Sequence, residues 1–489
     1  MTAYRLGIAL IAKGSMNNLH RADVVSTMRA KGIEPVFIVR EDYQHVIRRL
    51  PGCRYVACKF VRPTASQRFL RHLCCYVRSL YPSGDAYGRS WFGMANIARH
   101  TPLQRIHHRF LNWLARYRGL MRLLLFLEGW LYRSILVEGL ESAAFDQLLL
   151  LGIGTHGAEH ETVLTWWARE NGLSIVHMIA NYDHLTIKGF RGVPVERLLV
   201  WGPVMRDDAV RLHAVEPEKI EVIGSVRYDG LGRQKFADRE TFFKACGLDP
   251  AKRTILFAGA MHEFHYYEML EIFEEMRRKD DSIQLILRIY PDKLFMVLPY
   301  IKPLVHYGNS VPGVYVSVGD PNFRAGRKDQ PVPEIEENEL MHALKYSDVV
   351  VNLFSTIALE ACIFDKPVVY VLYYPKWADA WLRPPVYFDW GLALHNRRMV
   401  SYGIARMAAN RNELIGAIGD ALDNPQLYRF ERARTVELEL GAMDWKSCER
   451  LAEACIAVFH ESRGGEVNRK TGATAATVGN TAQTKGSLT

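Results

Sequence analysis

Two hydroxyl groups and a carboxylate, those of Ser355, Thr356 and Glu360, lie close together in the second half of the chain. The apolar run 349–354 before them predicts a buried strand, and residues 356–364 have helical periodicity. A helix N-terminus offers free backbone N–H groups and a positive dipole end, which suit a diphosphate. Glu360 lies about one turn after Thr356, where a carboxylate suits the hydroxyls of a ribose. The alternative is an ordinary helix cap followed by a surface glutamate.

Two further candidates for the same ligand follow other apolar runs. Arg288 stands near the end of the run 284–289, where its guanidinium could form two parallel hydrogen bonds with a phosphate. Gly259 follows the run 254–258 and would let a ligand approach the backbone closely. The alternatives are a surface salt bridge for Arg288 and a plain turn for Gly259.

Candidate bases lie in the first half of the chain. His156 follows the apolar run 147–153, and Asp183 follows the run 174–179. Either side chain could take the proton of an acceptor hydroxyl, because a histidine titrates near neutrality and a carboxylate is also a common general base. The alternative is that His156 caps a helix and that Asp183 orders a loop.

Polar residues that could bind an acceptor stand beside those bases. Asn17 and His20 follow the first apolar run, 6–12, and His184 and Lys188 follow the run 174–179. The loop after the first run does not have the GxGxxG pattern, so a Rossmann dinucleotide site is not supported.

The elements that must position these residues alternate along the chain. Twelve short apolar runs predict buried strands: 6–12, 35–39, 55–60, 147–153, 174–179, 197–201, 220–223, 254–258, 284–289, 314–318, 349–354 and 367–372. Helical patterns separate most of them, which predicts an α/β fold of two doubly wound, Rossmann-like parallel-sheet domains facing a cleft. Ligands bind such sheets at the carboxyl ends of the strands, where the candidates stand.

The domain limits follow from this pattern and from composition. We expect a first domain over 1–232 with an arginine- and aromatic-rich helical insertion at about 64–143, a linker over 233–251, a second domain over 252–440, a helix over 441–462 that packs back on the first domain, and a disordered tail over 463–489.

Composition excludes several classes of protein. The 489 residues are 49% hydrophobic and 24% charged, which is typical of a globular chain and excludes disordered, collagen-like and coiled-coil proteins. The eight cysteines show no CxxC spacing, so we expect reduced thiols and no structural zinc. The first ten residues lack the features of a signal peptide, which predicts a cytoplasmic protein.

Charge is concentrated in one segment. The net charge is +9, and residues 67–134 contain eleven arginines, no lysine and two acids. Basic segments with aromatic residues suit an anionic membrane surface, so we expect association with the inner face of the cytoplasmic membrane. The alternative is a helical insertion packed on its own domain. No nucleic-acid partner is expected, because no binding motif accompanies the charge.

Four stretches together resemble the two-Rossmann-domain glycosyltransferases of the GT-B fold, and among these the group of CDP-glycerol glycerophosphotransferases and bacterial surface-polysaccharide transferases. They are Asn18-Leu-His-Arg-Ala-Asp-Val24, Asn181-Tyr-Asp-His-Leu-Thr-Ile-Lys-Gly189, Val222-Ile-Gly-Ser-Val-Arg-Tyr-Asp229, which is similar to a strand entering the linker, and Ser355-Thr with Glu360 and Lys366-Pro367. The resemblance covers about residues 5–440 apart from 64–143.

The resemblance implies transfer of a sugar from a nucleotide-activated donor, held by the second domain, to a lipid-linked or polysaccharide acceptor in cell-surface synthesis. It implies neither a metal nor another cofactor. One departure matters: the CDP-glycerol enzymes have a histidine where this chain has Tyr290, which cannot titrate near neutrality. This favours a sugar donor over glycerophosphate transfer.

Two further functions stay open. An epimerase or hydrolase of a UDP-amino sugar would share the architecture and act without an acceptor. A non-catalytic binding protein would keep the donor pocket and not need the bases.

Overall fold

A computed structural model of the chain describes residues 4–11, 24–41, 52–61, 64, 113, 117, 123, 126–127, 130, 132–133, 135–151, 159–188, 196–213, 215–258, 263–289, 301–318, 339–373 and 394–479. These residues divide into two compact units. The first takes its described residues from Met1–Gly84, Leu111–Arg233 and Leu440–Thr489, and the second from Gln234–Glu439.

The first unit is built on an eight-stranded sheet. Its strands are β1 Tyr4–Leu10, β2 Ile33–Arg40, β3 Arg54–Phe60, β4 Val137–Glu138, β5 Gln147–Leu150, β6 Ser174–Met178, β7 Arg197–Val200 and β8 Ile220–Val222. Its helices up to the second unit are α1 Val24–Ala30, α2 Glu159–Glu170, α3 Pro203–His213 and α4 Val226–Arg233, with a π-helical turn at His184–Lys188.

The strand order of this sheet is β4-β3-β2-β1-β5-β6-β7-β8, and every neighbouring pair is parallel except β3 and β4. The order reverses direction between β1 and β5, which makes their carboxyl ends the switch point of the sheet. On one face, Leu6, Ile8 and Leu10 pack in a core with residues of α1 and of the C-terminal helix.

The second unit is built on a six-stranded sheet. Its strands are β9 Arg253–Ala258, β10 Ile283–Arg288, β11 Val314–Ser317, β12 Val349–Asn352, β13 Val368–Val371 and β14 Ala405–Ala408. Its helices are α5 Arg239–Ala245, α6 Glu263–Lys279, α7 Ile301–Ser310, α8 Glu339–Tyr346, α9 Ile357–Ile363, α10 Leu394–Ser401, α11 Arg411–Asp423 and α12 Arg429–Leu440.

All strand pairs of the second sheet are parallel, in the order β11-β10-β9-β12-β13-β14. The order reverses between β9 and β12, so ligands are expected outside the carboxyl ends of these two strands. The core lies on one face of the sheet and includes Phe257 of β9, Leu287 of β10 and Val351 of β12. Side chains alternate along a strand, so the next residue of each strand points to the other face.

Every predicted strand has a counterpart in the structure, and the doubly wound α/β fold class is confirmed for both units. Short strands β4 and β14 were not predicted. β4 is too short for a pattern, and β14 is only partly buried and contains Arg406, so neither gives an apolar run.

The stretch 222–229 differs from the predicted strand. β8 ends at Val222, and α4 begins at Val226 after Gly224, which has a φ of +84°. A Cβ at Gly224 would clash with Ser447 Oγ, so the turn needs glycine for both conformation and space.

The C-terminal helix, α13, spans Ser447–Gly479. Its Leu451, Cys455 and Val458 pack in the core of the first unit. The helix continues past residue 462, whereas the sequence predicts a disordered tail over 463–489 with few large apolar residues. A segment with few large apolar residues has little surface to bury against the rest of the protein. Such a composition does not determine whether its backbone is helical.

Among the described helices, none is long and apolar enough to cross a membrane.

Candidate functional site

The register of the second sheet aligns Arg288, which we predicted to bind phosphate, with Asn352, which we did not predict as a site residue. Arg288 of β10 and Asn352 of β12 both pair with Ala258 of β9, and Arg288 also pairs with Ser317 of β11. Cross-strand partners point to the same face, so these four side chains form one row across the carboxyl ends of the strands. The row crosses the point where the strand order reverses.

Asn352 joins the two central strands at this point. It is completely buried; its Nδ2 donates to the Ala258 carbonyl oxygen at 3.1 Å and to Ser355 Oγ at 2.8 Å, and its Oδ1 accepts from Ser355 N at 2.8 Å. One amide therefore fixes the end of β9 and the turn after β12. The signal for it in the sequence was a polar residue inside the apolar run 349–354.

The turn after Asn352 needs an unusual backbone. Phe354 has a φ of +53°, and its ring stacks on Tyr370 with centroids 4.6 Å apart. This stacking offsets the conformational cost for a residue other than glycine. The turn delivers Ser355 and Thr356 to the start of α9, within one residue of the predicted helix start.

The two hydroxyls differ in their surroundings. Ser355 Oγ accepts from Ile357 N at 3.3 Å as well as from Asn352, so it holds the turn, as in the structural alternative. Thr356 is the N-cap residue of α9, and within the described chain its side chain makes no capping hydrogen bond. Both residues are partly exposed.

Glu360 lies one turn further along α9, and its N donates to the Thr356 carbonyl oxygen at 3.1 Å. The residue is only 1% exposed, in contrast to the surface glutamate of the alternative interpretation. A ligand can therefore contact the Glu360 carboxylate only if the residues that cover it move.

Arg288 is held by two polar neighbours. Its Nη1 donates to Ser317 Oγ at 2.6 Å and lies 3.6 Å from Glu339 Oε2. Both charged side chains are about nine-tenths buried, with exposed fractions of 10% and 8%. Glu339 begins α8, where the helix dipole favours a negative charge. Neither Ser317 nor Glu339 was predicted from the sequence, because each is an ordinary polar residue until the sheet register brings it to Arg288.

In the first unit, Asp183 and His184 follow β6. The Asp183 carbonyl oxygen accepts from both Thr186 N and Thr186 Oγ1 at 3.2 Å, and His184 N donates to the Asn181 carbonyl oxygen at 3.2 Å. Asp183 is partly exposed and His184 is 9% exposed. The turn is thus well ordered by its own backbone.

Two side chains from neighbouring elements fix this turn at its ends. Trp201 Nε1 donates to the Ile179 carbonyl oxygen at 2.7 Å, and His213 Nε2 donates to the Leu185 carbonyl oxygen at 2.7 Å. They come from positions that follow β7 and end α3. By fixing this turn they position Asp183, the predicted base. Both residues are distant from Asp183 in the sequence, so the sequence pattern around Asp183 did not indicate their role.

His177 of β6 is a further polar group that sequence reasoning missed. It is 1% exposed, and neither ring nitrogen has a hydrogen-bond partner among the described residues. Burial without a compensating partner holds the pKa of His177 well below its usual value. The ring is therefore neutral at physiological pH.

Four predicted site residues, Asn17, His20, His156 and Gly259, lie outside the described residues, as does the side chain of Lys188. Among the described residues, no group of three His, Cys, Asp or Glu side chains could hold a metal ion.

Comparison of the whole chain with solved structures finds proteins of similar architecture. The UDP-GlcNAc 2-epimerase from Neisseria meningitidis bound to UDP-GlcNAc superposes with a TM-score of 0.51 at 11% sequence identity, covering 93% of this chain and 100% of that one. The UDP-GlcNAc 2-epimerase from Methanocaldococcus jannaschii has a TM-score of 0.50 at 12% identity, with 93% and 99% covered. The MnaA–UDP co-structure from S. aureus has a TM-score of 0.50 at 11% identity, with 92% and 94% covered.

This chain has the GT-B fold. The GT-B assignment rests on two doubly wound sheets in succession and on matches that span nearly the whole of both chains. No family model and no curated protein matches the sequence. The narrower resemblance to the CDP-glycerol group stays a prediction.

Proposed function

We propose that this GT-B protein is a glycosyltransferase whose second unit binds a nucleotide-activated sugar. The observation that carries the proposal is the polar row at the reversal of the second sheet, where Asn352 joins β9 to the turn of Ser355 and Arg288 ends the neighbouring strand. Nucleotides bind doubly wound sheets at this position. Three solved structures of the same fold support the choice of ligand, since two are named for UDP-GlcNAc 2-epimerases and one was solved with UDP.

In the proposed reaction, the acceptor oxygen bonds to the anomeric carbon of the donor, and the bond from that carbon to the diphosphate oxygen breaks. The acceptor proton passes to a base in the first unit, Asp183 or His156. Negative charge then accumulates on the leaving diphosphate. Arg288 and the hydroxyls of Ser355 and Thr356 stabilise it. Arg288 and Ser355 are held in place beforehand by their hydrogen bonds, which makes such stabilisation more effective.

The remaining assignments extend this scheme. Gly259 would let the diphosphate approach the backbone, and Glu360 would bind the ribose hydroxyls. His184, Lys188, Asn17 and His20 would bind the acceptor. We propose a lipid-linked or polysaccharide acceptor, as the resemblance to the surface-polysaccharide transferases implies. The proposed scheme uses no metal or other cofactor.

The test begins with nucleotide binding to the full chain. UDP, CDP, GDP and UDP-GlcNAc are each added, and the midpoint of thermal unfolding is measured. At about 100 times the dissociation constant, a ligand stabilises the native state by about 2.7 kcal/mol, which is readily detected. Arg288→Ala should weaken binding by about 1–3 kcal/mol, the range for loss of a hydrogen bond to a charged group. Equal binding by the variant and the parent would place the diphosphate elsewhere.

A second candidate function is epimerisation of a UDP-amino sugar. It is supported because two of the matched structures are UDP-GlcNAc 2-epimerases. Incubation of the parent protein with UDP-GlcNAc and no acceptor separates the two. An epimerase converts the nucleotide sugar to its 2-epimer in this mixture. A transferase leaves it intact and releases UDP only when an acceptor extract is added. CDP-selective binding would instead favour glycerophosphate transfer.

A further inference from the structure

The first unit exposes several large apolar side chains within one segment of the chain. Six of the thirteen exposed large apolar residues in the described part of the chain lie between Trp113 and Leu136. The most exposed among those in helical backbone are Phe126 at 70%, Trp130 at 60% and Leu123 at 52%. Single exposed apolar residues are common, whereas several within one short segment mark an interaction surface.

These three residues are spaced as residues on one side of a helix are. Leu123, Phe126 and Trp130 each have helical backbone, and spacings of three and four residues are those at which helical side chains lie on the same face. We call Leu123, Phe126 and Trp130 the apolar face. Its members are a leucine, a phenylalanine and a tryptophan, the residue types that dominate the buried side of interfacial helices.

The end of the segment is anchored to the first unit. Tyr132 is 1% exposed, and the guanidinium of Arg133 lies 4.3 Å from the ring centre of Trp166 and 4.0 Å from Glu170, both in α2. The apolar face directly precedes this anchor. Its exposure therefore belongs to a segment that is packed against the protein at its end.

The charge of the same segment specifies the partner. Residues 67–134 contain eleven arginines, no lysine and only Asp85 and Glu128 as acids. Such a balance attracts an anionic surface. Nucleic acid and phospholipid are both anionic, but an exposed leucine has no role in base stacking, whereas it inserts readily between acyl chains.

We propose that the apolar face docks into the boundary between headgroups and acyl chains of an anionic phospholipid membrane. Attraction between headgroup phosphates and the arginine-rich segment brings the protein to the surface, and Leu123, Phe126 and Trp130 then leave water. The proposal is independent of the function proposed above, because it needs only the exposed face and the charge.

The test is cosedimentation of the full chain with vesicles. Vesicles of phosphatidylcholine with about 30% phosphatidylglycerol should bind the parent protein at least about tenfold more tightly than vesicles of phosphatidylcholine alone. Raising NaCl from about 0.1 M to about 0.5 M should weaken this binding. The variant L123S/F126S/W130S should lose at least about tenfold in binding to the anionic vesicles.

Phe430→Ser is the matched control, since Phe430 is 73% exposed but lies in the second unit. It should bind vesicles like the parent. Circular dichroism and the midpoint of thermal unfolding check that the triple variant is folded. If it is not folded, the tryptophan fluorescence of the parent protein provides the test. Its emission should shift to the blue with anionic vesicles and not with phosphatidylcholine vesicles.

Three outcomes would overturn the proposal: no binding of the parent to anionic vesicles, equal binding by the folded triple variant, or equal loss in the Phe430 control. Binding of the parent to single-stranded RNA but not to vesicles would assign the surface to nucleic acid instead.

Discussion

Arg288 and Glu339 form a buried ion pair with 3.6 Å between Nη1 and Oε2. The arginine ends β10, and the glutamate begins α8, so the pair joins the edge of the proposed nucleotide site to a helix. Breaking such a pair is costly because it leaves one buried charge without compensation. Ser317 Oγ, which accepts from the same Nη1, is neutral and replaces the carboxylate only in part.

Glu339→Gln should lower the free energy of unfolding by about 3–5 kcal/mol, because Arg288 remains buried and charged. The double variant R288M/E339L removes both charges and should be less destabilised than Glu339→Gln alone. Urea unfolding followed by circular dichroism measures both values. The exposed pair of Lys244 and Glu240 provides the control, and Glu240→Gln should change stability by less than about 1 kcal/mol. A double variant less stable than the single one would contradict this account.

Asn352→Asp tests the junction of β9 and β12. The aspartate keeps an oxygen that can accept from Ser355 N, but it loses the donor to the Ala258 carbonyl oxygen and to Ser355 Oγ. We expect a loss of about 1–3 kcal/mol in stability and weaker UDP binding, since the buried carbonyl group is left without its donor. Thermal unfolding with and without UDP measures both.

The control for this substitution is Asn171→Asp, since Asn171 is exposed and its Nδ2 donates to the Trp167 carbonyl oxygen at 2.8 Å. It should leave UDP binding unchanged. If Asn352→Asp binds UDP as the parent does, the strand junction is structural only.

Glu360→Gln tests recognition of the ribose. The amide fits the same buried space but accepts hydrogen bonds less strongly than a carboxylate. UDP should bind about 1–3 kcal/mol more weakly to the variant, whereas 2′-deoxy-UDP should lose less. Titration calorimetry with both nucleotides gives the two differences. An equal loss for the two nucleotides would mean that Glu360 acts on the fold of α9 and not on the ribose.

His177→Leu tests the buried histidine. The pKa of His177 in the folded state lies below its value in the unfolded state. Above about pH 6.5 the histidine is therefore neutral in both states, and below about pH 6.5 it first gains a proton in the unfolded state only. This group therefore lowers stability as the pH falls, by about 1.4 kcal/mol per pH unit between the two pKa values. The variant should lose this part of the acid dependence when unfolding is measured from about pH 7.5 to about pH 5.

His306→Gln is the control, because His306 is exposed on α7. At about pH 7.5 this exposed substitution should change the free energy of unfolding by no more than about 0.5 kcal/mol. A His177→Leu curve parallel to the parent curve over the whole range would show that the unfolded state gains no extra proton at this residue.

The order of strands and helices was readable in the sequence. Buried parallel strands contain continuous apolar runs, such as the three valines 349–351 of β12, and this local signal needs no knowledge of neighbours. The placement of Arg288, Ser355 and Thr356 at strand ends followed from the same runs. The start of α9 lies within one residue of the prediction, because a change from strand to helical periodicity is also local.

Only the tertiary structure decided which of these polar residues meet. Strand order and register put Ser317, Arg288, Ala258 and Asn352 in one row, although about a hundred positions separate the first strand of the unit from β12. The burial of Glu360 and the pairing of Glu339 with Arg288 likewise depend on packing between distant segments. Periodicity along one chain specifies which face of an element is apolar, but hydrogen bonds and ion pairs across strands form only when the sheet assembles.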